Sequence, residues 1–317
     1  MKRSVFYRLV AAASLALAAC GPETSADEPK ASALRYLCSE TTVDLHDEGA
    51  VPLLVFGGRS FRLVRETSAS GVKYGGFGTP ATWIWTKGDA ATAAIDGGVL
   101  ETCEVGGAPE GPAPEPTPLR AQGNEPGWAL TIDEALTLAT DYGERTIRID
   151  DWTVAAVADG YEYSSVGGAL TVKLTADLCR DDATGMPHPL TASIQLGDET
   201  LRGCGGEPAA LLVGRWRIAA LGEQSFEPSD IATLYFDTAK NRVAGAAFCN
   251  SYNAGVALSG ESLRIGPAVS TRRACASDLM TRERVMLDAL ARTDAFDIDG
   301  DALVLLADRA PLIRAVR

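Results

Sequence analysis

Histidine, basic side chains and long helix-forming runs are scarce in this sequence. Its 317 residues include 2 histidines, and 29 lysines and arginines stand against 42 aspartates and glutamates. The net charge of −13 excludes general nucleic-acid binding through a basic face. Beyond the N-terminal apolar run, no segment is apolar and long enough to span a membrane as a helix.

Apolar residues are plentiful and arranged in short stretches. They make up 46% of the sequence, which is enough to build sizeable cores. Glycine, threonine and valine are frequent, and the short stretches alternate between apolar and polar residues, which is typical of β-strands. The length exceeds that of one ordinary domain. We therefore expect a mainly β protein of two or three modules.

The N-terminus has the pattern of a secretion signal. Three basic residues precede an apolar run at residues 9–19, which ends in Leu-Ala-Ala followed by Cys20. This ending resembles the lipobox of bacterial lipoproteins, in which the cysteine is acylated and becomes the first residue. We expect a signal peptide at 1–19 and a lipid anchor and tether at 20–32. Gly21 after the cysteine implies, by the same resemblance, the outer membrane, with the modules facing the periplasm or the cell surface.

Six further cysteines fall into three neighbouring pairs along the chain. An even number in an oxidising envelope indicates disulfides. Linker-like segments separate the pairs, which favours one pairing over the other combinations. The favoured pairs are Cys38 with Cys103, Cys179 with Cys204, and Cys249 with Cys275. A zinc site is the alternative, but the spacings do not fit one and we expect both histidines to lie far from these pairs.

A proline-rich acidic segment separates the first module from the rest. Residues 106–118 read GGAPEGPAPEPTP, a composition that predicts an extended spacer. We expect modules at 33–105, 120–208 and 209–317, with a linker at 106–119. The first should be a small antiparallel β-barrel or sandwich, the second β-rich and the third α+β.

The first module carries an ordered set of motifs. Along the chain these are Tyr36-x-Cys38, Ser70-Gly71-x-Lys73-Tyr74, Trp85-Thr86-Lys87-Gly88-Asp89-Ala90 and Cys103. Their order resembles the membrane-bound inhibitors of c-type lysozyme, and the resemblance covers the whole first module. It implies a small antiparallel barrel, no catalytic residue, no cofactor or metal, and a c-type lysozyme as partner. The segment 75–82 between two of the motifs is longer than in the family pattern.

The resemblance also assigns roles to single residues. Ser70 matches the serine that enters the lysozyme cleft, and Lys87 matches the lysine on the neighbouring turn. Gly71, Lys73 and Tyr74 complete the expected lysozyme-contacting set. Of these, Tyr74 fits a supporting residue better than a direct contact with lysozyme. Because c-type lysozymes are typically basic, the acidic charge of this chain would steer the encounter.

Other interpretations of the same residues remain open. The Ser-Gly stretch could be an ordinary polar loop. Residues 70–73 also match S-x-x-K of penicillin-binding enzymes, but that motif needs a helix, which the glycines here oppose. We expect Gly75 and Gly76 to form a turn. Trp83 and Trp85 alternate and so share one face, which we expect to lie in the core or barrel wall.

The second module opens with Asn-Glu-Pro-Gly-Trp at 124–128 and later has Gly-Cys-Gly at 203–205. It resembles an uncharacterised bacterial envelope-lipoprotein domain with no agreed activity. In that pattern an aromatic residue precedes the tryptophan, whereas this chain has Gly127. Glu125 fits a turn residue better than a functional one, and His188 fits a loop residue better than a metal ligand.

The third module contains a further ordered series of motifs. These are Gly214-Arg215-Trp216, Gly245-x-x-Phe248-Cys249-Asn250-x-Tyr252, Ser270-Thr271-Arg272-x-x-Cys275 and Glu283. They resemble the META domain of heat-inducible envelope proteins. Apolar spacing around Met286 predicts a helix, with Ser277 as its N-cap. The Asp-rich segment 297–301 fits a hairpin turn better than a calcium loop, and Asn250 fits a structural turn better than a surface site.

The sequence as a whole predicts a non-enzymatic outer-membrane lipoprotein that binds and inhibits c-type lysozyme. In this interpretation the Ser-Gly loop and Lys87 enter the active-site cleft. One alternative is a structural or stress-response envelope lipoprotein that binds an unknown envelope component. A second alternative is an inhibitor of a different glycan-cleaving enzyme.

Overall fold

The computed structural model describes residues 33–317. The expected signal peptide, Cys20 and the tether at 20–32 lie outside the described residues. Within 33–317, no helix is long and apolar enough to cross a membrane. The described chain is mainly β, as predicted, and contains three large sheets.

The first sheet is a closed, eight-stranded antiparallel barrel in which each strand pairs with its neighbours in sequence. Its strands are β1 Ala33–Cys38, β2 Thr41–His46, β3 Leu53–Phe56, β4 Arg59–Glu66, β5 Val72–Gly76, β6 Trp83–Lys87, β7 Ala90–Ile95 and β8 Gly98–Gly107. The barrel closes through β1 and β8, where Cys38 lies opposite Cys103 and forms a disulfide with it. The predicted turn at Gly75 and Gly76 is wrong, because both residues belong to the end of β5.

Alternating side chains fill the barrel interior. Small and branched residues such as Val43, Leu63 and Ala93 are completely buried, and Tyr36 packs beside the disulfide. Because inward-facing residues alternate with outward-facing ones, four to ten residues per strand are enough to line one core. The disulfide closes a loop of 65 residues and stabilises this small module by about 4 kcal/mol.

The second sheet has nine antiparallel strands in the order β12-β11-β10-β9-β19-β18-β15-β14-β13. The strands of this module are β9 Leu119–Asn124, β10 Gly127–Ile132, β11 Leu136–Thr140, β12 Arg145–Ile149, β13 Trp152–Val157, β14 Gly160–Ser165, β15 Leu170–Thr175, β16 Cys179–Arg180, β17 Pro187–His188, β18 Leu190–Leu196 and β19 Glu199–Gly205. The short strands β16 and β17 pair with each other, and Cys179 is bonded to Cys204 of β19. One face of the sheet buries Trp128, Tyr161 and Tyr163.

The third sheet is antiparallel and packs against a helix. Its strands are β20 Gly214–Leu221, β21 Gln224–Ser225, β22 Thr233–Asp237, β23 Arg242–Ala247, β24 Asn250–Leu258, β25 Leu263–Ile265, β26 Val269–Ser270, β27 Ala295–Asp299, β28 Ala302–Ala307 and β29 Ala310–Val316. A short helix α1, Ala209–Leu212, precedes β20. The module is therefore α+β, with Cys249 bonded to Cys275. These three disulfides are the pairs that the sequence favoured.

The long helix α2, Ser277–Arg292, lies between β26 and β27. It buries Met286, Ala289 and Leu290 in the third core, in agreement with the predicted apolar face. The prediction that Ser277 caps the helix is wrong, because the N-cap is Ala276 and no side chain forms a capping hydrogen bond there. Residues 297–301 join β27 to β28 as a hairpin, as expected, with Gly300 at a φ of +59°.

The barrel docks on the second module through the long segment between β5 and β6. Phe77 in this segment packs edge-on against Tyr161, with ring centroids 5.0 Å apart, inside the second core. The hydroxyl of Tyr161 donates to the carbonyl of Leu63 on β4. The length of segment 75–82 thus has a structural reason, since it supplies the aromatic contact between two modules.

The proline-rich segment is bound along the barrel. Residues 108–118 contain no helix or strand, whereas Gly106 and Gly107 of the predicted spacer belong to β8. Ser60 Oγ donates to the carbonyl of Pro114 at 2.5 Å, and Arg62 Nη1 donates to that of Thr117 at 2.6 Å. The segment is therefore held in place by the surface that it crosses.

Candidate functional site

The expected contact residues lie at one end of the β5–β6 pair. The loop 67–71 leads into β5, and Lys87 ends β6, while the register pairs Val72 with Thr86. Ser70 and Lys87 are both exposed. The long segment 75–82 joins the other ends of the same two strands, so its extra length does not separate the Ser-Gly loop from Lys87.

Gly71 brings this loop against the neighbouring strand. Its φ is +68°, and a Cβ at this position would lie 2.1 Å from the carbonyl oxygen of Thr86. A side chain is thus excluded twice, by the backbone conformation and by the lack of space. Glycine allows the loop backbone to contact the turn that carries Lys87.

Two hydrogen bonds hold the carbonyl of Ser70. Trp85 Nε1 donates to this oxygen at 2.8 Å, and Ser68 Oγ donates to it at the same distance. The Ser70 hydroxyl has no hydrogen-bond partner within the described residues. The loop is therefore fixed through its backbone, while its hydroxyl remains available for a partner. Sequence reasoning assigned Trp85 to the motif but not to this supporting role.

Trp83 and Trp85 share a face, as predicted, and this face is the outside of the barrel wall and not the core. Ile84 between them points into the core and is fully buried, so both tryptophans lie on the outer surface. Trp85 is 40% exposed beside the Ser-Gly loop. Alternation along a strand reveals which residues share a face but not which face is inside.

Lys73 and Tyr74 point to opposite sides of β5. Lys73 lies on the surface, where its Nζ pairs with a Glu66 carboxylate oxygen at 2.6 Å. Tyr74 is buried, and its hydroxyl donates to Asp47 at 2.6 Å. Burial and this hydrogen bond raise the pKa of Tyr74. The inclusion of Tyr74 among direct contacts is therefore corrected, because its ring supports the barrel from within.

The S-x-x-K alternative does not fit this geometry. Residues 72 and 73 belong to β5, so Ser70 and Lys73 do not lie one helical turn apart. Among the described residues, no group of three or more His, Cys, Asp or Glu side chains is arranged to hold a metal ion.

The motif residues of the second module serve its architecture. Glu125 lies in the turn between β9 and β10. Asn124 donates to Asp181, which also accepts bonds from the backbone of Ala183 and Thr184. The ring of Tyr142 covers Gly127, where a Cβ would lie 2.5 Å from it. An aromatic from another part of the chain thus covers the position where the expected motif aromatic is missing.

The prediction of a loop position for His188 is wrong, because His188 lies in β17 opposite Cys179. It is buried, and its Nδ1 lies 2.9 Å from the carbonyl of Gly206. The expectation that both histidines lie far from the cysteine pairs is therefore wrong, because His188 lies beside Cys179. The adjacent cysteine is in a disulfide, so it is not a metal ligand.

Asn250 in the third module is also structural. Its amide nitrogen donates to Glu283 of α2 at 2.9 Å, and its oxygen accepts from Thr271 and from the backbone of Arg273. The motif residues therefore connect the disulfide hairpin, the segment before α2 and the helix itself. This agrees with the interpretation of Asn250 as part of a structural turn.

Comparison with known families identifies two of the three modules. Residues 36–101 match the family described as membrane-bound lysozyme-inhibitor of c-type lysozyme. Residues 209–317 match the META domain. These matches confirm the order of modules that the motifs indicated, and both ranges lie outside the second module.

Other comparisons add little. An NMR structure of a protein from Burkholderia xenovorans has 23% sequence identity and a TM-score of 0.27, and the match covers 32% of this chain and 80% of that one. No curated protein matches the chain.

Proposed function

We propose that this chain is an envelope lipoprotein whose barrel binds and inhibits a c-type lysozyme. The observation that carries the proposal is the placement of Ser70, Gly71 and Lys87 at one end of the β5–β6 pair, inside the range that matches the inhibitor family. We infer that this end enters the active-site cleft. No chemistry by the barrel itself is required.

The charge and size of these groups suit such a cleft. A lysozyme of this class keeps one carboxyl group protonated as the general acid and a second one ionised. The Ser70 hydroxyl can donate to a carboxylate where a larger side chain would not fit. The ammonium of Lys87 favours the ionised form of nearby carboxyl groups and so opposes the proton that the acid must carry. Inhibition would combine steric blocking with a disturbed protonation state.

The remaining parts of the proposal concern approach and anchoring. The net charge of −13 would attract a basic enzyme at a distance. Acylation of Cys20 would hold the protein at the outer membrane, where a lysozyme arrives before it reaches the cell wall. Steering acts on the association rate and weakens with salt, whereas the loop and Lys87 act on the complex once formed.

Inhibition of hen lysozyme by the oxidised protein tests this function. We expect Ser70→Ala and Lys87→Ala each to cost about 2–5 kcal/mol of binding free energy. Lys173→Ala, at an exposed lysine of β15, is the matched control and should inhibit like the wild type. Inhibition that both site variants retain would reject the cleft mechanism. A folded wild type that does not inhibit would reject c-type lysozyme as the partner and leave the structural interpretation.

A further inference from the structure

A cavity of about 420 Å³ lies between the barrel and the third module. Its barrel side begins at Trp83, at the opposite end of β6 from Lys87, so it is separate from the proposed lysozyme site. Its volume falls within the range of roughly 300–1,000 Å³ that is typical of small-molecule sites, which often form between domains. The lining residues that matter here are Trp83, Gly97, Val99, Arg215, Arg217 and Arg317.

Two glycines place the modules in contact at this cavity. Gly97, in the turn before β8, has a φ of +79°, and a Cβ there would lie 2.9 Å from the Cα of Gly214. The backbones of the two modules thus approach more closely than any side chain would permit. The cavity wall is part of a defined junction, because residues from both sides are fixed by this contact.

Cations line the side that belongs to the third module. Arg217 Nη2 donates to the main-chain oxygen of Arg317 at 2.8 Å, and Arg215 pairs with Asp230 at 3.1 Å. In the range 33–317, no Asp or Glu side chain forms an ion pair with Arg217 or Arg317. Three guanidinium groups therefore lie beside one carboxylate side chain, that of Asp230, and beside the main-chain oxygen of Arg317.

Arg317 is exposed to the cavity, and its guanidinium is held in place by the third module. Its guanidinium lies 4.5 Å from the centroid of the Trp216 ring and donates to the carbonyl of Val213 at 3.1 Å. Partial desolvation lowers the pKa of Arg317. An anion in the adjacent cavity would favour the charged form of this guanidinium.

The barrel contributes an apolar wall opposite the cations. Trp83 is half-buried on the outer surface of β6, and Val99 of β8 is 55% exposed. A flat aromatic ring provides a large contact area for the ring or apolar part of a ligand. The cavity is therefore amphipathic, with arginines on one side and Trp83 on the other.

We propose that this cavity binds a small oxyanion-bearing ligand the size of a sugar. Its carboxylate or phosphate would pair with Arg217 and Arg317, and its ring would pack against Trp83. Guanidinium groups bind these oxyanions through paired, charge-assisted hydrogen bonds, which gives both affinity and orientation. The proposal does not depend on lysozyme inhibition. It assigns a ligand site that only the docked arrangement of barrel and third module creates.

Calorimetric titration of the full chain with three probes tests the proposal. N-Acetylmuramic acid combines a carboxylate with a sugar ring, glucose 6-phosphate combines a phosphate with one, and N-acetylglucosamine has no anionic group. We expect one of the two anions to bind and the neutral sugar not to bind at up to about 10 mM. Which anion binds distinguishes a carboxylate site from a phosphate site.

Variants assign the binding to this cavity. Arg217→Gln should weaken anion binding by about tenfold or more, since it removes a charge-assisted hydrogen bond. Trp83→Leu should weaken it several-fold. Arg148→Gln, at an exposed arginine of β12, is the control and should leave it unchanged. Thermal unfolding of each variant checks that the fold is retained.

Three outcomes would overturn the proposal. They are the absence of binding by either anion, equal binding of the neutral sugar, and full affinity in folded Arg217→Gln. Lysozyme inhibition is measured in parallel and should be the same in Arg217→Gln as in the wild type. Failure of the cavity and failure of the inhibitor function are thus distinguishable.

Discussion

The indole nitrogen of Trp85 donates a hydrogen bond of 2.8 Å to the carbonyl oxygen of Ser70. This bond connects an outward-facing tryptophan of β6 with the loop that precedes β5. It holds the backbone of the loop while the serine hydroxyl stays exposed. The loop is therefore positioned before any partner arrives, which lowers the entropy cost of binding.

Replacement of Trp85 by phenylalanine should weaken lysozyme inhibition. The variant keeps an aromatic ring but loses the donor to Ser70, and one such bond contributes about 1 kcal/mol, or roughly fivefold in the inhibition constant. Trp83→Phe is the control, because Trp83 shares the outer face but makes no hydrogen bond to the loop. If both substitutions weaken inhibition equally, the cause is the change to the outer aromatic face and not the lost hydrogen bond to Ser70.

Alanine at Gly71 should displace the Ser-Gly loop. The added Cβ would be placed 2.1 Å from the Thr86 oxygen, so either the loop or β6 must move. We expect inhibition to weaken by about tenfold or more. Gly58→Ala is a matched control, since Gly58 also has a positive φ, of +76°, but a Cβ there meets no atom within 4 Å. In both variants the free energy of unfolding should fall by about 1–2 kcal/mol, because alanine is strained at a positive φ. If Gly71→Ala inhibits as well as Gly58→Ala, the close packing of the loop is not needed.

Truncation of Phe77 should uncouple the barrel from the second module. Phe77→Ala removes the ring that packs on Tyr161 and should cost about 3–5 kcal/mol of packing. Scanning calorimetry should then resolve a separate transition for the barrel. Phe61→Ala, inside the barrel core, should lower the barrel's stability while its contact with the second module stays intact. A single unchanged transition in Phe77→Ala would show that the contact contributes little.

Asp181 should make the second module sensitive to acid. Burial tends to raise the pKa of its carboxyl group, but hydrogen bonds from Asn124 and from Thr184 and Ala183 outweigh burial and hold the pKa below its usual value. Because the pKa is lower in the folded than in the unfolded chain, the ionised group stabilises the fold above about pH 4. This contribution is lost as the pH falls through the folded-state value.

Urea unfolding at several acidic pH values measures this effect. The free energy of unfolding should fall with decreasing pH in the wild type and fall less steeply in Asp181→Asn. Asp198→Asn, at an exposed turn position, should keep the wild-type slope. An identical slope in Asp181→Asn would mean that other carboxylates carry the acid sensitivity.

Local patterns in the sequence predicted the β-rich class, the α2 helix and the order of motifs. Alternation and turn residues act between neighbours in sequence, so they could identify strands and the apolar face around Met286. They could not orient β6, because Ile84 and the two tryptophans are all large and apolar. The inward side was decided by barrel closure, which involves residues far apart in the chain.

The supporting contacts of the site were less accessible to sequence reasoning. The motif order placed Ser70, Gly71 and Lys87 in one set, and the strand register brings them to one end of the β5–β6 pair. The bond from Trp85 to Ser70 depends on how that pair twists, and Phe77 meets Tyr161 across 84 residues of sequence. Such contacts depend on tertiary packing, which local periodicity does not encode. The glycine contact between Gly97 and Gly214 has the same origin.

The bound course of the proline-rich segment has a consequence for how the first two modules associate. Because Ser60 and Arg62 hold residues 114 and 117 against the barrel, little free chain separates β8 from β9. A short connection makes the association intramolecular, with an effective concentration on the order of millimolar. The contacts around Phe77 and Tyr161 can then keep the modules together without having to join two separate chains. Lengthening this segment would lower the effective concentration of the barrel at the second module, although no contact between them would be removed.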